Sequence, residues 1–258
     1  MTTGPNLVTF ETRAELVKSV GEKVLELLAS LKSKQNQINI ALTGGTVGGE
    51  ILAAISEMTF PENLWNNVHF WWSDERWLPS GDSERNDFQA DQFLLRKLEI
   101  DGLITESQIH RFPSQDSGMD LDAAAAEYEV ELREHSKDRS AIVEFDLALL
   151  GVGPDGHIAS LFPGSRGIEA NEISTIAVRN SPKPPPERLS LSLPAINQSK
   201  RIWLCLAGRD KAAALCLALT GANTTQVPAA GVRATEETCF FADRDAAELV
   251  PNEIREQL

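Results

Sequence analysis

The chain has 258 residues, 42% of them hydrophobic, and a formal net charge of −14. That length suffices for a single α/β domain over 1–258 with a substantial core. So acidic a surface argues against nucleic acid or an anionic membrane as the main partner, and no run of about 18 apolar residues is present to cross a bilayer. Residues 1–11 lack a basic segment followed by an apolar one, so no secretory leader is expected and the chain reads as cytoplasmic. Cys205, Cys216 and Cys239 are odd in number and lie in apolar segments. They read as reduced core residues, neither a disulfide frame nor a zinc site. A monomer or weak homo-oligomer is expected. An acidic chain still takes a small anion where a few cations converge, and those cations guide the search.

Thr12 and Glu15 fit a capping box, after which Leu16, Val20, Val24, Leu27, Leu28 and Leu31 recur at helical spacing. Ile38–Leu42 reads as a short apolar strand, Gly44-Gly45 as its turn, and 48–58 as a helix. Val68–Trp72 is the next strand and runs into Ser73-Asp74-Glu75-Arg76. Helices are predicted over 87–98 and, strongly charged, over 120–135. The stretch 145–150 is almost wholly apolar, as expected of a strand covered on both faces. It breaks into Gly151-Val152-Gly153-Pro154-Asp155-Gly156-His157, with a short helix expected over 158–161. Further strands are predicted over 174–178, 189–193, 202–206 and 238–241, with a helix over 211–219 between the last two. The proline cluster at 182–186 reads as a stiff surface loop. Alternating strands and helices predict an open, mostly parallel twisted sheet with helices on both faces, a modified Rossmann-like arrangement. Such sheets bind ligands outside the carboxyl ends of their strands.

Several of those ends carry unusual residues. In Thr43-Gly44-Gly45-Thr46 the glycines let backbone amides approach an anion, and the next helix adds its positive end. A plain tight turn fits the same residues. The segment is neither a Walker P-loop nor a dinucleotide fingerprint. Asp74-Glu75-Arg76 ends a tryptophan-rich strand, where three charges must face water or each other. An exposed salt-bridged turn is the alternative there. The strongest signal is the glycine-rich turn holding Asp155 and His157. The two residues suit an acid–base pair or a pair of metal ligands. No further Asp, His or Cys cluster supplies a third and fourth ligand, so no metal is expected. His69, His110 and His135 lack such a setting and read as surface or satisfied core. Arg188 starts a strand, and Lys211 opens a helix, where a lysine works against the dipole unless an anion is near. Both are otherwise ordinary surface cations.

The segments Thr43-Gly44-Gly45-Thr46, Ser73-Asp74-Glu75-Arg76-Trp77-Leu78-Pro79 with Asn86, and Gly151 through His157 to Ile158-Ala159-Ser160-Leu161-Phe162-Pro163-Gly164 resemble the 6-phosphogluconolactonase family. Pro186-Glu187-Arg188-Leu189-Ser190-Leu191, Gly208-x-x-Lys211 and Pro228-Ala229-Ala230 continue the resemblance in order, over 42–228. Gly48 stands where the family often has proline, and Arg85 where it often has serine. The resemblance implies hydrolysis of 6-phospho-D-glucono-1,5-lactone to 6-phospho-D-gluconate in the oxidative pentose phosphate pathway. The implied partner is a small phosphorylated sugar lactone, with no cofactor. The wider group includes glucosamine-6-phosphate deaminase, whose Phe-Asn-Glu-Pro stretch supplies a glutamate to the histidine. Phe162 stands at that position here, so the deaminase relay is incomplete.

The resemblance and the strand-end positions nominate Arg188 and Lys211, with the Gly44 and Gly45 amides, as a phosphate clamp. Thr43 and Asp74 join the substrate-binding set. His157 is the general base, since an ordinary histidine titrates near neutral pH. Asp155 orients it or is itself the base. Arg76 steadies substrate oxygens or the developing oxyanion. No Gly-x-Ser-x-Gly elbow offers a nucleophilic serine. A non-catalytic sugar-phosphate sensor would keep the clamp and lose the base, and the Asp155–His157 pair argues against it.

Overall fold

In the computed structural model, which describes residues 4–138 and 141–255, the chain begins with a strand its sequence conceals. β1 (Asn6–Phe10) has no buried position and lies at one edge of a sheet. Its pattern therefore lacks the apolar run that marks a covered strand. α1 (Arg13–Lys32) follows its cap, with the Thr12 hydroxyl accepting from the Glu15 amide at 3.2 Å. The Glu15 carboxylate reaches back to the Glu11 amide, one residue earlier than a capping box requires. Leu16, Val20, Val24, Leu28 and Leu31 form its buried stripe, as their spacing predicts.

β2 (Ile38–Leu42) is buried at every position. α2 (Gly45–Ser56) starts at Gly45, not 48, because glycines that propensity disfavours are held in the helix by packing. β3 (Val68–Trp72) is followed by β4 (Asp74–Arg76). The helix expected over 87–98 is one run: α3 (Asn86–Ala90), a π turn at Asp91–Leu95, and α4 (Arg96–Ile100). α5 (Leu121–Glu134) is capped by Asp120, which accepts from the Ala123 amide. β5 (Leu147–Gly151), β6 (Thr175–Val178) and β7 (Arg188–Leu191) come next. β7 stops at Leu191 because Ser192 caps α6 (Leu193–Asn197), accepting from the Ala195 amide. β8 (Arg201–Leu206), α7 (Ala212–Leu219) and β9 (Glu237–Asp243) complete the frame.

Six strands form a parallel sheet in the order β1-β9-β8-β5-β2-β3. The mostly parallel sheet is thus as expected. A second, antiparallel sheet, β4-β7-β6, was not anticipated. The chain leaves the main sheet after Trp72, and Asp74, Glu75 and Arg76 pair with Ser190, Leu189 and Arg188. The three charges therefore lie in a strand, not in an exposed turn, with Asp74 and Glu75 buried. The helix expected over 158–161 does not form. Ile158 instead bridges Val152 and Leu161, so the chain doubles back on itself.

Arg85 organises the loop between β4 and α3. Its guanidinium donates to the Asp87 carboxylate and to the carbonyls of Leu78 and Phe112, and lies 3.8 Å from Glu75. Glu75 also accepts from the amides of Arg76, Asn86 and Asp87. These side chains are buried, so removing the cation strands two carboxyl groups. Arg85→Ala should cost about 3–5 kcal/mol of unfolding free energy, read by denaturant titration.

Candidate active site

A cleft of about 390 Å³ opens at the carboxyl ends of β2, β3, β5 and β8, where open parallel sheets bind ligands. Thr43, Gly44, Gly45, Asp74, Arg76, His157, Arg188 and Lys211 all line it. Asp155 stands behind this wall and reaches it through His157. Arg13 and Lys183 also line the cleft, and sequence reasoning missed both. Among the described residues, Arg13, Arg76, Lys183, Arg188 and Lys211 line the cleft with two carboxylates, Asp74 and Asp210. A protein of charge −14 thus concentrates cations at one place, which suits a small anion.

The turn after β5 builds the centre of the site. The Gly153 amide donates to the His157 carbonyl and the Gly156 amide to that of Gly153, and Gly156 takes φ +79°. A Cβ on Gly153 would lie 1.9 Å from His157 Nδ1 and 2.5 Å from Asp155 Oδ1. Only glycine leaves room for the pair. His157 Nδ1 lies 2.5 Å from Asp155 Oδ1. An ionised carboxylate only accepts, so the network assigns the proton to Nδ1 and leaves the Nε2 lone pair free. The Phe162 ring stacks on the imidazole at 4.6 Å. Burial lowers the His157 pKa, Asp155 opposes that and Lys183 adds to it. Burial works to raise the Asp155 pKa, but His157 and Lys183 outweigh it and hold the carboxyl below its ordinary value.

Lys183 comes from the proline cluster, its Nζ 3.3 Å from His157 Nδ1 and 3.6 Å from Asp155 Oδ1. Burial lowers its pKa, against Asp155. The signal available in the sequence was a lysine held among prolines close to Arg188. Arg188 itself donates through Nε to the Pro185 carbonyl and through Nη2 to those of Lys183 and Pro184. It pins the loop that presents Lys183, so three of its five N–H donors are already engaged. Its guanidinium carbon also lies 5.7 Å over the Phe162 ring.

The Gly44 position is dictated by Asn86. A Cβ there would fall 1.7 Å from Asn86 Oδ1. Asn86 Nδ2 donates to the Asp74 carbonyl at 2.8 Å, while its Oδ1 is buried without a partner among the described residues. Asp74 is tied down as well: Oδ2 accepts from Ser160 Oγ at 2.7 Å and Oδ1 from Asn86 Nδ2 at 3.3 Å. Thr43 Oγ1 accepts from the Gly151 amide, joining the turns after β2 and β5. Arg76 donates to the Glu84 carbonyl, and its Nε has no partner among the described residues. Lys211 sits in the turn Arg209–Lys211 before α7, its Nζ 3.1 Å from Asp210. Arg13 is held by Glu50 at 2.6 Å.

Fold and site define an α/β protein with a cationic strand-end cleft built around a histidine–aspartate pair. The family described as glucosamine-6-phosphate isomerases/6-phosphogluconolactonase matches residues 11–241, and the chain belongs to it. It is similar to a 6-phosphogluconolactonase of Streptomyces coelicolor, 38% identical over 98% of this chain and 98% of that one. A 6-phosphogluconolactonase of Mycobacterium tuberculosis is 39% identical over 92% of this chain and 95% of its own. Among solved structures, the 6-phosphogluconolactonase of Thermotoga maritima superposes with a TM-score of 0.79 at 27% identity, covering 93% of this chain and 100% of that one.

Proposed function

We propose that this chain hydrolyses 6-phospho-D-glucono-1,5-lactone to 6-phospho-D-gluconate, a step of the oxidative pentose phosphate pathway. The observation that carries this reading over deamination of a sugar phosphate is Phe162. It is buried and stacked on His157, so an apolar ring occupies the place where a ring-opening relay needs a second carboxylate. A six-membered lactone needs no such relay, because it is an activated ester that water attacks directly.

In the proposed mechanism the Gly44 and Gly45 amides, Lys211 and the remaining donors of Arg188 hold the phosphate. Thr43 and Asp74 contact the sugar. His157 Nε2 takes a proton from water as the water oxygen bonds to the lactone carbonyl carbon. Asp155 keeps the imidazole in the correct tautomer and steadies the imidazolium. Arg76 faces the oxyanion that develops on the carbonyl oxygen. When the ring C–O bond breaks, the imidazolium returns its proton to the leaving ring oxygen. A coupled assay with freshly made lactone should show loss well above the spontaneous rate, and glucosamine 6-phosphate should release no ammonia. The absence of any acceleration would sink the reading.

The same mechanism is metal-independent, its positive charge coming from side chains. Lactonase activity should therefore survive dialysis against EDTA. Loss on dialysis with recovery on adding zinc would overturn that. The enzyme also reads as cytoplasmic and as a monomer or weak homo-oligomer. Cys205 and Cys239 are buried, their thiols pushed up by burial, which suits a chain that keeps cysteines reduced. No helix among the described residues is long and apolar enough to cross a membrane.

A further inference from the structure

Of the chain's 4 histidines, three gather away from the cleft. His69 lies on β3, His110 lies next to it in space, and His135 caps the C-terminal end of α5. The ring of His110 lies 5.1 Å from that of His69 and 4.4 Å from that of His135. Glu131, one helical turn before His135, brings a carboxylate oxygen to 2.7 Å from His110 Nδ1. Donor atoms of His110, Glu131 and His135 all lie within 4.8 Å of one another.

Hydrogen bonds and packing orient these donors. His135 Nδ1 lies 3.0 Å from the Glu131 carbonyl oxygen. A carbonyl only accepts, so that nitrogen carries the proton and Nε2 keeps its lone pair. His110 Nδ1 donates to the Glu131 carboxylate and Nε2 lies 2.8 Å from His69 Nδ1, so an ion bound at Nδ1 takes the place of that proton and leaves Nε2–H donating to His69. Metal-binding imidazoles are held in this manner, with one nitrogen hydrogen-bonded behind the ligating one. Trp71 lies flat against His110 at 3.8 Å and 9°, which fixes the ring plane. His110 is buried, whereas the Glu131 side chain is 35% exposed, so the group has a fixed floor and an open side.

We propose that His110, Glu131 and His135 bind one divalent transition-metal ion, zinc by donor type, with His69 as the positioning residue behind His110. Two imidazoles and a carboxylate form a donor set that leaves a fourth position for water. The site stands apart from the catalytic cleft. His135 borders a separate cleft with Asn39 and Lys200, at the amino ends of β2 and β8, opposite the strand ends that carry His157. The ion clasps the end of α5 to the β3 side of the main sheet, through His110, whose amide donates to the Phe70 carbonyl.

The test is calorimetric titration of zinc chloride into the untagged full chain after EDTA treatment and dialysis. One saturable equivalent is expected in the wild type and in His157→Asn. Affinity should fall at least about tenfold in His135→Ala and in Glu131→Gln, and about 10–100-fold in His69→Leu. Zinc should raise the Tm of the wild type in a concentration-dependent manner, and much less that of the ligand variants. Lactonase activity should be the same in His135→Ala as in the wild type. Glu131→Gln preserves shape on a partly exposed helix, so the comparison stands even where His135→Ala is unstable. Three results would overturn the site: no saturable zinc binding by the wild type, full affinity in both ligand variants, or loss of the equivalent in His157→Asn.

Discussion

Replacing His157 by asparagine should lower kcat at least about a hundredfold and change KM less than about threefold. Asparagine keeps similar bulk and accepts a hydrogen bond but takes up no proton near neutral pH. The cations that line the cleft are untouched, so substrate binding should persist. The spontaneous opening of the lactone must be subtracted before the comparison. The pH profile supplies an independent check. Burial lowers the His157 pKa below its ordinary 6.5, against the pull of Asp155. The imidazole loses its lone pair as pH falls through that lowered value, so kcat should fall on an acid limb centred below 6.5. Asp155, held below its ordinary 3.8, stays ionised across that limb. A variant retaining more than about a tenth of wild-type kcat, or an acid limb lying below 3.8, would transfer the role of base to Asp155.

Replacing Lys211 by alanine should raise KM for the phosphorylated lactone at least about tenfold, since a charge-assisted contact contributes about 1.5–3 kcal/mol. Lys211 is the sharper probe of the two proposed clamp residues. Among the described residues its ammonium pairs only with the neighbouring Asp210, at 3.1 Å, and turning to an anion should leave the fold undisturbed. Arg188 also holds the carbonyls of Lys183, Pro184 and Pro185. Its removal would displace Lys183 from the Asp155–His157 pair and so mix binding with chemistry. Unphosphorylated gluconolactone is the control. Equal changes in KM for both lactones would show that Lys211 does not read the phosphate.

The features legible in the sequence are those whose cause lies within a few residues along the chain. The α1 stripe follows from helical periodicity, and β2 was legible because all its residues but Asn39 are apolar, as suits a strand covered on both faces. The turn holding Asp155 and His157 announced itself through glycines that crowding at Gly153 makes obligatory. The chemistry at the strand ends could be read because a parallel sheet directs those ends to one side.

What remained hidden depends on partners distant in sequence. β1 shows no apolar run because an edge strand is covered only in part. The charges of β4 became a buried strand only by pairing with β7, whose residues come after position 187. Ile158 abandoned a helical turn for bridges to Val152 and Leu161. Lys183 entered the site because Arg188 draws the proline loop inward. Asn86 dictates Gly44 across a gap that no local pattern records. His69, His110 and His135 each look unremarkable in the chain, and only the packing of α5 against β3 makes them neighbours. The sequence by itself determined most of the main-sheet strands and helices and the kind of chemistry, through spacing, turns and caps. The tertiary structure decided which buried charges are paired, which cations face the histidine, and where three imidazoles meet one carboxylate, because such contacts exist only once distant segments share one packed interior.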